Sequence, residues 1–86
     1  MNLSATFVKE LSTPAVTKFC DNINDFKKEY QENGTLKLDS IIKVLGNPPR
    51  IPNSPDTDAM MEAWEEKAEY GRLAQIVEAE VERLSI

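Results

Sequence analysis

Residues 54–86 read SPDTDAMMEAWEEKAEYGRLAQIVEAEVERLSI, and beyond the opening Ser54-Pro55 nearly every position is a good helix former. Ser54 suits an N-cap and Pro55 the first helical position. Asp56 and Asp58 sit where the positive end of the helix dipole favours a carboxylate. The apolar positions then change sides. Measured from Met61 at about 100° per residue, Met60, Trp64, Ala68 and Gly71 fall between about 260° and 340°. Beyond Gly71, the set Leu73, Ile76, Val77, Val81 and Leu84 falls between about 60° and 200°. The carboxylates swap in the opposite sense: Glu62, Glu65, Glu66 and Glu69 lie at about 40–140°, Glu78 and Glu82 at about 260–300°. Glu80 is the anomaly, at about 100° among the apolar residues.

Two readings compete. The helix breaks near Tyr70-Gly71 and both halves pack on one core, or it runs straight with its halves on different surfaces. The straight helix needs no break and is preferred. It predicts a first half packed on its own domain through Met61 and Trp64, the alternative being that Trp64 with Met60 and Met61 forms a recognition patch. Its second half then offers Leu73, Ile76, Val77, Val81 and Leu84 as a partner-binding strip, most simply in a homo-oligomer.

Upstream, residues 47–55 hold Pro48, Pro49, Pro52 and Pro55, a density that forbids helix and predicts a stiff, extended connector. Residues 1–46 read as helical. Leu3, Phe7, Val8 and Leu11 suit a short amphipathic helix that Ser4 caps. Thr13-Pro14 restarts the chain as an N-cap and first helical residue. Val16, Phe19, Ile23, Phe26 and Tyr30 then step by three and four along one seam, ended by Asn33-Gly34. Asp39 reads as the cap of a short, well-buried helix carrying Ile41, Ile42, Val44 and Leu45, stopped by Gly46.

The run Asn33-Gly34-Thr35-Leu36 followed by Asp39-Ser40-Ile41-Ile42 resembles the turn and exit of an EF-hand loop, with Gly34 and Leu36 at its glycine and aliphatic positions. The ligand positions depart from that family: Glu29 stands at the first, Gln31 at the third, and Ser40 where a bidentate glutamate belongs. The resemblance covers about a dozen residues and implies a helix-loop-helix shape with poor calcium binding.

The expected architecture is all-α: one small domain over residues 1–86, a bundle of three to four helices with a long C-terminal helix (residues 56–85) after the Pro-rich connector. The expected core is Val16, Phe19, Ile23, Phe26, Ile41, Leu45, Met61 and Trp64. Eighty-six residues leave no room for a second core. A chain with 41% hydrophobic and 29% charged residues fits a globular protein outside the membrane. The first residues lack the basic and apolar regions of a signal peptide, and a single cysteine, Cys20, forms no internal disulfide. A cytoplasmic setting is therefore expected.

With no histidine, Cys–His nucleophile pairs and histidine metal ligands are excluded. No catalytic residues, metal or cofactor are expected. Charge is uneven, with a balance of +1 over residues 1–54 and −6 over residues 55–86. So acidic a helix repels phosphates, which argues against direct nucleic-acid binding.

The plain reading of Glu62, Glu65, Glu66 and Glu69 is a solvated face, although Glu62/Glu66 and Glu65/Glu69 are like charges one turn apart. The functional expectation is a non-enzymatic protein-protein interaction module, such as an adaptor, regulator or assembly subunit, acting through its C-terminal helix. The alternative is an acidic inhibitor whose glutamate face mimics nucleic-acid phosphates for a basic partner, a profile common among small accessory proteins of phages and mobile elements.

Overall fold

The computed structural model describes residues 2–86. Five helices form among them: α1 (Ala5–Glu10), α2 (Thr13–Asp21), α3 (Ile23–Asn33), α4 (Leu38–Leu45) and α5 (Thr57–Ser85). The fold is all-α, with no strand among the described residues. Helix α5 has 29 residues, about 43 Å at about 1.5 Å per residue, close to the 46 Å long axis of the molecule. It is the spine. Helices α1, α3 and α4 pack on it, and α2 packs on α4.

The expected single helix over residues 14–33 is two helices. Asn22 leaves helical geometry (φ −114°, ψ 9°), its N–H reaching the Lys18 and Phe19 carbonyls and its Nδ2 donating to Lys18 O at 2.8 Å. A short amide side chain competing with backbone donors is a common reason for such a stop. The three-and-four spacing survives the break because both pieces face the same core. Phe19 and Phe26 are buried there, with ring centroids 5.9 Å apart.

Caps differ by a residue or two from expectation. Ser4 caps α1 as expected, accepting from Phe7 N–H. Ser12, not Thr13, caps α2, and Asp56, not Ser54, caps α5 by accepting from Asp58 and Ala59. For α4 the N-cap position is Lys37, with no side-chain cap of its own. Glu29 on α3 supplies the missing acceptor, taking the Lys37 N–H and the Ser40 hydroxyl (2.7 Å). The carboxylate at the first EF-hand-like position therefore works as a remote helix cap. Burial raises its pKa, but those two hydrogen bonds and the charges of Lys37 and Lys43 outweigh this and hold it below the ordinary value. Gly34 (φ 73°) and Gly46 (φ 83°) end α3 and α4 in left-handed geometry that side chains disfavour.

The core is built on three phenylalanines. Phe7 lies 4.5 Å from Phe19 between ring centroids, and Phe26 completes the row. Leu11, Ala15, Leu36, Ile41, Val44, Val77 and Val81 close around them, with Val16, Ile23 and Leu45 half-buried at the edge. Two expected core residues are not there: Met61 is 57% and Trp64 53% exposed.

Helix α5 runs unbroken through Gly71, but its halves are the reverse of the expectation. Its buried side stays constant: Ala59, Ala63, Tyr70, Val77 and Val81 all lie between about 160° and 200°. In the first half that inner side carries only alanines, so the bulky Met61 and Trp64 dominate the hydropathy pattern from the outer side. The apparent migration of the stripe is an effect of side-chain size.

An added Cβ at Gly71 meets nothing within 4 Å, and its backbone is helical. Gly71→Ala should therefore stabilise the protein by about 1 kcal/mol, raising the thermal midpoint by about 4–8 °C in a melt followed by circular dichroism.

Candidate functional site: the surface of α5

The strip expected to meet a partner packs on the chain's own core. Val77 and Val81 are fully buried, and Leu73, Ile76 and Leu84 are half-buried against the same cluster. The physical reason lies in α1: Phe7 and Leu11 supply apolar surface that the seam of residues 16–30 alone did not account for.

Polar contacts bind this half of α5 to the other helices. Buried Glu80 accepts from Ser4 N–H (2.7 Å) and Ser4 hydroxyl (2.8 Å) and pairs with Arg83 at 2.9 Å. Arg83 also donates to Asn2 O. Burial alone raises the Glu80 carboxyl, but the hydrogen bonds from Arg83 and Ser4 outweigh it and hold the pKa below the ordinary value. Arg72 pairs with Glu69 and, across to α1, with Glu10 at 2.9 Å. Glu78 accepts from Thr35 hydroxyl (2.9 Å) and Leu36 N–H (3.3 Å) in the α3–α4 turn. Tyr70 donates to Gly46 O at 2.6 Å, tying the start of the connector to mid-helix. Among the described residues, the hydrogen bonds from α5 to the other helices and the connector's start all leave from Tyr70 or beyond.

The first half is different. From Gly46, held at Tyr70, residues 47–56 must return about 20 Å to reach Thr57, so the connector runs back beside this half. The outer side is left open. Met61 and Trp64 stand there a turn apart, with the Lys67 ammonium 5.3 Å from the Trp64 ring centroid. Glu62, Glu65, Glu66 and Glu69 are all exposed, as a solvated face requires. Only Glu69 of these has an ion-pair partner among the described residues, Arg72, whose hydrogen bond lowers the Glu69 pKa.

An open groove of about 410 Å³ separates the connector from this half of α5. Pro49, Tyr70 and Leu73 give it apolar surface, while Asn47, Glu65, Glu66 and Glu69 line the remainder. The Tyr70 hydroxyl is committed to Gly46 O, burial raises its pKa, and its ring serves as wall.

No group of three or more Cys, Asp or Glu side chains among the described residues is arranged to hold a metal ion. No described helix is long and apolar enough to cross a membrane. Comparison with protein-family models, curated proteins and solved structures returns no match. The functional reading therefore rests on the residues themselves.

Glu62, Glu65, Glu66 and Glu69 lie on the surface, while sequence reasoning missed the groove. No local signal encodes it, since its walls come from two segments that meet only because Tyr70 holds Gly46. The exposure of Met61 and Trp64 had a faint signal: Ala59 and Ala63 line up with Tyr70 and Val77 on the opposite side.

Proposed function

We propose that this protein is a non-enzymatic protein-protein interaction module, an adaptor, regulator or assembly subunit, that works through α5. The contact surface in this reading is the outer side of the first half of α5. It is not the strip of Leu73, Ile76, Val77, Val81 and Leu84. One observation carries it: Met61 and Trp64 remain more than half exposed, side by side, on a continuous helix. Aromatic and methionine side chains of this kind are the common anchors of protein interfaces. The two residues belong to the same unbroken helix whose second half is rooted in the core, so their spacing is already set before docking.

A photo-crosslinking amino acid at position 64 tests this, with position 25 on α3 as an exposed control. In the native cell, position 64 should yield a discrete protein adduct, either a second copy or another chain, that position 25 does not. No adduct at 64, or the same adducts from both positions, overturns the reading.

A second reading, an acidic inhibitor for a basic protein, is supported by the exposure of Glu62, Glu65, Glu66 and Glu69 on a segment of charge −6. It requires binding that depends on charge alone.

A further inference from the structure

The groove between the connector and α5 combines an apolar surface, which neither functional reading uses, with two of the carboxylates of the acidic face. Pro49, the Tyr70 ring and Leu73 give it apolar surface, and the committed Tyr70 hydroxyl adds no free polar group to it. Glu65 and Glu66 have no cationic partner among the described residues, and Arg72 is shared between Glu69 and Glu10. The remaining cation of the first half, Lys67, lies over Trp64, at about 240° around the helix against about 40–180° for the groove residues.

A purely apolar occupant would desolvate carboxylates without pairing them, which is costly. An acidic or phosphorylated occupant is repelled. A purely basic one leaves the apolar surface wet. What fits is an apolar anchor flanked by cations. The volume is at the small end of ligand pockets, about 300–1,000 Å³, room for the anchor side chains of one peptide turn.

We propose that the groove formed by Pro49, Tyr70 and Leu73 docks a basic amphipathic segment of another protein, its apolar anchor between them and its Lys or Arg side chains against Glu65 and Glu66. This goes beyond the reading carried by Met61 and Trp64, because it concerns a different side of α5 and depends on charge and apolar contact together.

The test uses the full chain and a fluorescent helical peptide with leucines one turn apart, flanked by lysines. A leucine-free peptide and a peptide with glutamates for lysines serve as controls. Saturable binding is expected for the first peptide alone. Glu65→Lys with Glu66→Lys should weaken it about tenfold, as should raising salt from about 50 to about 300 mM. Amide shifts in the isotope-labelled protein should cluster at Asn47, Glu65, Glu66, Tyr70 and Leu73. Asp25→Ala, exposed on α3, should leave the affinity unchanged, and because position 64 lies on a different side of α5 the crosslinking result can fail without this one. Absence of saturable binding overturns the proposal. So does equal affinity for the leucine-free peptide, insensitivity to the double charge reversal, or shifts spread over the whole acidic surface.

Discussion

Val77→Asp should unfold this protein. Val77 is fully buried in the cluster with Phe7, Phe19, Phe26 and Val81, and among the described residues no buried side-chain polar atom is left without a partner. A carboxylate placed there is either charged without a partner or protonated at a cost of several kcal/mol. The lost valine contacts add about 1–2 kcal/mol. A domain of this size holds about 4–13 kcal/mol in total, so most or all of its stability disappears. Far-UV circular dichroism on heating should show a lost or strongly lowered transition. Ala79→Asp, an exposed position two residues along, should change stability by no more than about 0.5 kcal/mol. A folded Val77→Asp protein of reduced solution mass would instead return the strip from Leu73 to Leu84 to a partner.

Glu80→Ala should have the next largest effect, because Glu80 holds α1 onto α5. Its removal strands the Ser4 N–H and releases Arg83. Hydrogen bonds to a buried carboxylate contribute about 1.5–3 kcal/mol each, and Arg83 is partly screened by solvent, so a net loss of about 2–3 kcal/mol is expected. Amide exchange at the N-terminal end of α1 should speed up first, since the Ser4 end loses its tie to α5 while Phe7 and the Glu10–Arg72 pair still hold the rest.

The pH dependence follows from the lowered pKa of Glu80. A folded-state pKa below the unfolded one gives stability that is complete above about pH 4.3 and is lost as pH falls through the folded value. Wild type and Glu80→Ala should therefore differ most near neutral pH and converge in strong acid. Thermal melts at about pH 7 and about pH 2 check this. A difference that stays the same at both would show that Glu80 contributes by packing and not by charge.

Both predictions lie on residues whose types were visible in the sequence and whose surroundings were not. Glu80 stood out as a carboxylate on an apolar side, but its partner Ser4 is 76 positions away. Ser4 and Phe7 look like parts of a short, marginal helix, and nothing local says that this helix completes the core. The seam of residues 16–30 was legible because its spacing is a property of one helix. Its division at Asn22 was not, because three-and-four spacing continues across a break when both pieces face the same way.

The docking surface follows the same rule. The acidic face was readable, since charges on a helix seldom turn inward. For Met61 and Trp64 the sequence left core and recognition patch both open and favoured core, because apolar size in a sequence says that a surface wants cover, not whether the chain has something left to cover it.

Taken alone, the sequence determined the all-α class, the proline-rich connector, the long acidic C-terminal helix and the glycine stops at Gly34 and Gly46. All of these are local: propensity, periodicity and capping act within a few residues. Only the tertiary structure decided which side of α5 is the inside. That choice depends on α1, α3 and α4 all packing on α5 and burying Val77 and Val81, and on the tie from Tyr70 to Gly46 that brings the connector back beside its first half. Burial is a contest between segments distant in the chain, and no single segment records its outcome.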